Sequence, residues 1–206
     1  MAMRAAVLLS VTLLCALSGS GCGTCPGTDI EGVGNYALTP EGRGAVLRVT
    51  VPPDPFSGTG LTSWGRIATA DLAEDFGERL ACIASDAGGL DVMPQAQWER
   101  LLNEADLQPT LQPTDKQLRR HADALGLSYY LTAHVHDSEL RYVFFWSWAV
   151  VNYELACHAA GDGQMLWQVS VQYRQRYASD REAIVEALER TFRRLSEHPN
   201  LEARPP

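Results

Sequence analysis

The sequence has little lysine. Of its 17 lysine and arginine residues only Lys116 is a lysine, and 25 acidic residues give a formal net charge of −8. Proteins that bind nucleic acid neutralise phosphates with clustered basic side chains. The composition contains no such cluster and excludes nucleic acid as the expected partner. The hydrophobic fraction of 46% is sufficient for a packed core, so an ordered domain is expected.

Motifs of the common enzyme classes are also absent from the sequence. There is no G-x-S-x-G nucleophile elbow, no G-x-x-x-x-G-K phosphate loop and no H-E-x-x-H zinc motif. The carboxylates of Asp71, Glu74, Asp75 and Glu78 have helical spacing and are interpreted as the solvated face of a helix. We therefore expect a protein that is not an enzyme, with no catalytic residue, no metal and no cofactor.

The only long apolar run is residues 5–17, AAVLLSVTLLCAL, which follows Arg4. It is too short to span a bilayer as a helix and is typical of a secretory signal. Small residues at 18–21 precede Cys22, and this arrangement resembles a bacterial lipoprotein signal. The resemblance implies that residues 1–21 are removed and that Cys22 carries the lipid, such as palmitate. An ordinary cleaved signal, with Cys22 as a plain thiol, is the alternative.

Glycine, proline and few large apolar residues in 22–43 predict a flexible tether. Residues 44–198 are expected to form one α/β (α+β) domain, and 199–206 a C-terminal tail. Hydrophobic periodicity predicts the order β-α-β-α-α-β-β-β-α, in which a mixed sheet ends in an antiparallel three-strand meander. The predicted strands are 45–51, 90–93, 128–136, 147–159 and 164–173; the predicted helices begin near 64, 94, 115 and 180 and the first ends at 87.

The turn between the last two strands can be predicted in detail. A three-residue loop at Gly161-Asp162-Gly163 places Leu155 opposite Val169 and Cys157 opposite Trp167. A two-residue turn slips the register by one residue and sends apolar side chains to the wrong face, so the longer loop is favoured. Capping boxes at 114–117 and 179–182 mark the starts of the last two helices.

Two segments resemble a group of bacterial envelope lipoproteins. They are 125–133, LGLSYYLTA, and 157–167, CHAAGDGQMLW. The group includes the curli-secretion channel lipoprotein CsgG, the lipoprotein activators of penicillin-binding proteins, and the N-terminal domain of TolB. The resemblance covers about residues 45–197. It implies the fold and a place in the cell envelope but no particular activity, because this fold hosts unrelated functions.

Three histidines form the only candidate metal site. His134 and His136 are two apart in a predicted strand and so share a face, and His158 could lie on a neighbouring strand. Zinc requires three such ligands, or two with a carboxylate. The alternative is that these residues form part of the solvated face of the sheet, together with Thr132, Glu154 and Gln168.

Cys82 and Cys157 are candidates for a disulfide in an oxidising compartment. In the predicted register Cys157 points to the core, and Cys82 lies at the edge of the buried stripe of the first helix. A bridge requires Cα atoms within about 7 Å. Two separately buried thiols are the alternative.

Residues 142–148, YVFFWSW, are the least ordinary segment, with five aromatic residues between two predicted strands. Phe144, Phe145, Trp146 and Trp148 are the candidate interaction residues. Strand alternation turns Phe145 to the face opposite Phe144 and Trp146, so these rings cannot all enter one core. We expect a partly exposed cluster that contacts a protein or the membrane interface. Rings that fill the core are the alternative.

The function expected from these features is that of a lipid-anchored periplasmic binding or adaptor protein. It would be held at the membrane by lipid and contact an unidentified envelope protein. It would act through protein–protein interaction without enzymatic activity, and formation of homo-oligomers is left open. Gly23 after Cys22 suggests the outer membrane, by analogy with lipoprotein sorting in enteric bacteria. The alternatives are a subunit of a CsgG-like outer-membrane secretion assembly and a metal-dependent enzyme that uses His134 and His136.

Replacement of Trp146 and Trp148 by serine tests the aromatic cluster. We expect the free energy of unfolding to change by less than about 1 kcal/mol, as at surface sites, while capture of the partner weakens. Chemical denaturation and crosslinking in the native host measure the two effects. A loss of several kcal/mol, as for truncated core aromatics, would show that the rings are structural.

Overall fold

The part of the chain that the structure describes forms a seven-stranded mixed sheet with four α-helices. A computed structural model describes residues 27–51, 69–110, 113–143, 146–176 and 180–201. In chain order the elements are β1 (Gly27–Asn35), β2 (Arg43–Thr50), α1 (Thr69–Asp86), β3 (Asp91–Met93), α2 (Gln95–Glu104), α3 (Asp115–Leu125), β4 (Tyr129–Val143), β5 (Trp146–Ala159), β6 (Met165–Arg176), α4 (Asp180–Glu197) and β7 (Asn200–Leu201). The predicted α/β class is confirmed.

The sheet has the strand order β3-β2-β4-β5-β6-β1-β7. Strand β2 runs parallel to both β3 and β4, and all other neighbours are antiparallel. The predicted meander is confirmed in β4, β5 and β6. Its register is also confirmed, because Leu155 pairs with Val169 and Cys157 with Trp167. Gly163 has a φ of 73°, the left-handed conformation that the three-residue loop requires.

The predicted tether over 22–43 is wrong for its middle part, because Gly27–Asn35 forms strand β1 beside β6. The glycines of β1 allow neighbouring parts of the chain to approach its backbone closely, rather than making the segment flexible. A Cβ on Gly32 would lie 2.7 Å from the carbonyl oxygen of Gln168, and Gly34 has a φ of 99°. The segment after β1 is held in place by Tyr36, whose hydroxyl donates to the carbonyl of Gly88 at 2.7 Å. Residues 22–26 lie outside the described part.

The predicted tail over 199–206 also differs from the structure at its start. Asn200 and Leu201 form the short strand β7, which pairs antiparallel with Asn35 and Gly34 of β1. Both departures have one cause. Strands β1 and β7 gain their stability from pairing with a sheet that is already formed, and their own composition carries little signal of a strand.

Helix ends follow local sequence rules where the structure describes them. The backbone N–H of Thr114 donates to Gln117 Oε1 at 2.8 Å, and the N–H of Gln117 donates to Thr114 Oγ1 at 3.4 Å. This is the capping box predicted for α3. The second predicted box includes Ser179, which lies outside the described residues, as does the predicted first turn of α1 at 64–68.

Two apolar clusters lie on opposite faces of the sheet. Helices α1 and α4 cover one face, and the larger cluster beneath them includes Leu72, Phe76, Leu80, Tyr153, Leu155, Trp167, Val169, Leu188 and Phe192. Helices α2 and α3 cover part of the other face, over a smaller cluster that includes Ala45, Leu47, Met93, Trp98, Leu102, Leu118 and Tyr130. The smaller cluster reaches β3, β2 and the start of β4, and no described helix covers the rest of that face.

One buried hydrogen bond joins α4 to the centre of the sheet. The hydroxyl of Thr191 donates to the carbonyl of Ala187 at 2.8 Å, so the hydroxyl of Tyr153 is the donor in the 2.8 Å bond to Thr191 Oγ1. Tyr153 and Thr191 are both fully buried. Removal of the Thr191 oxygen leaves the Tyr153 hydroxyl without an acceptor.

We therefore expect Thr191→Val to lower the free energy of unfolding by about 1–3 kcal/mol, the cost of a buried unsatisfied donor. Adding Tyr153→Phe removes that donor and should recover part of the loss. Urea denaturation of the two single variants and the double variant measures the coupling. Strictly additive losses would contradict this account.

Candidate functional site

The candidate site is the part of the second sheet face that no helix of the described residues covers, and we call it the open face. Cross-strand register aligns its side chains in rows. One row contains His134, Glu154, Ser170 and Glu31, on β4, β5, β6 and β1. The neighbouring row contains Thr132, Ala156, Gln168 and Val33. All of these side chains are at least partly exposed. The polar face predicted from Thr132, His134, Glu154 and Gln168 is confirmed.

His134 and His136 lie together on the open face, as predicted. A β-bulge between Val135 and Asp137 inserts one extra residue, and the two imidazole centroids are 4.5 Å apart. His136 Nε2 lies 3.4 Å from Glu154 Oε1, and the amide of Gln168 donates to the other Glu154 oxygen at 3.4 Å. The arrangement is a partly exposed polar network.

The third histidine does not join this pair. His158 pairs with Tyr130 and stacks on its ring, with centroids 5.0 Å apart, and its Nε2 lies 3.3 Å from Thr132 Oγ1. The three imidazoles therefore do not converge, which corrects the three-histidine form of the predicted metal site. Within the described residues no group of three His, Cys, Asp or Glu side chains is placed to hold a metal ion.

His158 lies at the border between the open face and α3. Nearby, Arg48 Nη2 donates to Pro113 O at 2.6 Å and to Asp115 Oδ1 at 2.7 Å. The bond from Arg48 lowers the pKa of the Asp115 carboxyl. Burial lowers the pKa of the His158 imidazole, and Arg48 adds to that shift, while a backbone hydrogen bond with Gly163 and the charge of Asp115 oppose it. The neutral form of His158 is thus favoured in the folded chain.

The predicted disulfide between Cys82 and Cys157 is wrong, because both thiols are free. Cys82 is exposed on α1, on the solvent side with Glu78, so the alternative of two buried thiols is wrong for Cys82 as well. The helix is rotated so that Cys82 points away from the sheet. Burial raises the pKa of Cys157 to about 12, which makes this thiol unreactive at neutral pH.

Several predicted site residues are not described. Cys22, Phe144 and Phe145 lie outside the described residues. The backbones of Trp146 and Trp148 belong to β5, opposite Val143 and Arg141, while their side chains are outside the description. The lipid-attachment and aromatic-cluster assignments therefore stay predictions. Among the described helices, none is both long enough and apolar enough to cross a membrane.

The sequence analysis missed a groove at the other edge of the sheet, between β1 and α4. This groove of about 400 Å³, which we call the arginine groove, is lined by Thr28, Asp29, Ile30, Arg190, Arg193, Arg194 and Glu197. The sequence does contain a pattern that indicates this groove. Arg190, Arg193 and Arg194 have the i, i+3, i+4 spacing that places three side chains on one side of a helix. The strand on its other side lies in the predicted tether.

Comparison with known proteins identifies the fold. No protein-family model and no curated protein sequence matches the chain. The PelC dodecamer from Paraburkholderia phytofirmans is similar with a TM-score of 0.54 and 12% identity, over 85% of this chain and 100% of the PelC chain. Lipoprotein GNA1162 from Neisseria meningitidis has a TM-score of 0.49 and 15% identity, over 77% of this chain and 99% of its own. The LpoB C-terminal domain from Escherichia coli has a TM-score of 0.40 and 14% identity, over 65% of this chain and 84% of its own.

At such low identities the similarity shows a shared fold. This conclusion rests on the PelC comparison, which has the highest TM-score of the three. The chain has the fold of a PelC subunit. The grouping with the curli-secretion lipoprotein and with TolB remains a prediction.

The lowered pKa of His158 predicts a loss of stability in weak acid. The unfolded imidazole titrates near 6.5, so below about pH 6.5 the unfolded chain binds more protons than the folded chain. The free energy of unfolding should therefore fall as the pH drops from 7.5 to 5.5. Burial also lowers the pKa of His121, so part of the effect belongs to that residue.

Urea denaturation at pH 7.5 and pH 5.5 measures this dependence. In His158→Gln the difference between the two pH values should be smaller than in the wild type, and in a variant that also carries His121→Gln smaller again. An unchanged pH dependence in His158→Gln would show that His158 does not contribute.

Proposed function

We propose that this chain is a lipid-anchored protein of the bacterial cell envelope that acts as a non-enzymatic adaptor, through protein–protein interaction. The observation that carries the proposal is the open face. A four-stranded surface is packed by helices on one side and presents ordered, partly exposed polar side chains on the other. Such a surface can bind a protein without rearrangement of the core.

The chemistry of the site favours binding over catalysis. His134 contacts His136, and Glu154 contacts both His136 and Gln168, on a partly exposed face of the sheet. Catalytic groups normally converge in a concave site that excludes water. The arrangement suits the polar rim of a protein interface, in which hydrogen-bonding groups set the register of the partner.

The proposed location rests on the N-terminal sequence. A basic residue, a short apolar run, small residues and Cys22 together support lipid attachment, and Gly23 supports the outer membrane. A thioether-linked lipid with further acyl chains holds a protein firmly, whereas a single chain is marginal. The proposed site of action is therefore the periplasmic side of the outer membrane.

A second candidate is a subunit of an outer-membrane secretion assembly. It is favoured by the fold shared with PelC, which forms a dodecamer. In this case copies of the chain form a closed ring. Size-exclusion chromatography with light scattering on the detergent-solubilised chain separates the two, because a large ring favours the assembly and a monomer favours the adaptor.

Cys22→Ser tests the anchor. We expect the variant to move from the membrane fraction to the soluble periplasmic fraction, because it has no attachment site for the lipid. Mass spectrometry of the wild-type N-terminus should show a lipid on Cys22. A wild-type chain that is already soluble and has no lipid would disprove the anchor.

A photocrosslinking residue at Ser170 tests the open face in the native host. Ser170 is exposed in the centre of that face, and Arg120 is exposed on α3 and serves as the matched control position. We expect one discrete crosslinked protein from position 170 and none from position 120. Equal crosslinking at both positions would contradict a specific interface at the open face.

A further inference from the structure

We propose that the outer edge of β1, along which no described strand pairs from Gly27 to Val33, binds an extended, acidic segment of a partner protein by β-strand addition, with its carboxylates in the arginine groove. This inference rests on the proposed adaptor function and deepens it by naming the chemistry of one partner. It concerns the β1 edge of the sheet, whereas the photocrosslinking test concerns the open face.

The edge already accepts a strand. β7 pairs antiparallel with β1, but only at Gly34 and Asn35. Within the described residues β1 has no strand beside its outer edge from Gly27 to Val33. Alternate backbone N–H and C=O groups of an edge strand point outward and can pair with another chain. A strand that continues the antiparallel pairing of β7 along this edge would lie opposite Val33 first and then opposite Ile30, Asp29 and Thr28. These last three residues line the arginine groove.

Apart from its two acidic side chains, Asp29 and Glu31, the edge lacks the features that usually block such pairing. Its sequence, GTDIEGVGN, contains no proline and no lysine, and β1 has no bulge in its pairing with β6. The strand at the opposite edge, β3, is only three residues long. Val33 is 39% exposed beside the edge, one of the few large apolar side chains exposed in the described residues. The β1 edge is therefore the better site for an added strand.

The arginine groove selects the charge of the segment. Arg190 is already engaged, since its Nε donates to Glu186 Oε1 at 2.8 Å and its Nη1 donates to Thr28 Oγ1 at 3.2 Å. Arg193 and Arg194 are exposed and form no ion pair within the described residues, although Glu197 also lines the groove. Guanidinium groups bind carboxylates through paired hydrogen bonds. The side toward α4 thus favours acidic side chains.

On the open-face side of β1, acidic residues in an added strand are disfavoured. Asp29 pairs with Gln172 and Glu31 with Ser170, so strand alternation turns both exposed acidic side chains toward the open-face side, although Asp29 also borders the groove. Since successive side chains of a strand alternate between faces, an added strand presents every second residue to each side. The expected segment therefore has acidic residues at alternate positions and neutral or basic residues between them.

An eight-residue peptide of alternating threonine and glutamate is the probe. Fluorescence anisotropy with the full-length chain in detergent, at low salt, should show saturable binding that weakens as salt rises. A peptide of alternating threonine and lysine should not bind. Absence of binding by the acidic peptide would overturn this inference. It would leave the proposed adaptor function standing, because the tests at Cys22 and Ser170 measure that function separately.

Paired variants test the groove. Arg193→Glu/Arg194→Glu should weaken binding of the acidic peptide at least tenfold. Lys116→Glu/Arg120→Glu makes the same charge change on exposed positions of α3 and should leave binding within about twofold. Equal loss in both variants would show a general charge effect and overturn the assignment to the groove. Circular dichroism checks that each variant is folded.

Backbone methylation tests strand addition. Two versions of the acidic peptide carry N-methyl groups on alternate residues, in opposite phase. Only the phase whose amides face β1 should lose binding, because amides of a strand alternate in direction. Equal binding by both versions would rule out backbone pairing.

Two other occupants are distinguished in the same assay. If the peptide binds a chain shortened after Leu201 but does not bind the full-length chain, residues 202–206 occupy the edge and the partner proposal fails. If phosphatidylglycerol vesicles bind with the same dependence on Arg193 and Arg194 while the peptide does not, the groove binds lipid phosphate and the proposal also fails.

Discussion

The register of the β4–β5–β6 meander is the constraint on which the rest of the structure depends. It directs Tyr153, Leu155 and Cys157 toward α1 and α4, together with Trp167 and Val169 of the next strand. The same alternation sends Glu154 and Gln168 to the opposite face. A slip of one residue would bury those polar groups and expose the core, at a cost far larger than the usual stability of a domain.

Much of the fold was predictable because its strongest signals are local. The three-residue loop at Gly161-Asp162-Gly163 set the register, and the Thr114 capping box set the start of α3. Strand β1 was not predictable in the same way. Its glycines predict a tether when considered alone, and only the edge of β6 shows that Gly32 and Gly34 are required for close packing.

The site was only partly predictable for a similar reason. Alternation placed His134 beside His136, but the position of His158 depends on pairing between β4 and β5 and on the ring of Tyr130. Cys82 shows the same limit for helices. Periodicity finds the apolar stripe of α1, yet residues at its border turn inward or outward according to tertiary packing, which a single sequence does not contain.

The early start of β1 has a geometric consequence for an anchored protein. Five peptide units separate Cys22 from Gly27, and even when fully extended they reach at most about 17 Å. Gly27 pairs with Arg174, which pairs with Val150, which pairs with Glu139, so this end of the sheet is also the end from which the β4–β5 hairpin extends. A lipid on Cys22 would therefore be joined to the sheet by a short linker. It would hold the body against the bilayer with the hairpin end nearest the headgroups, at the depth where tryptophan and tyrosine are most favoured.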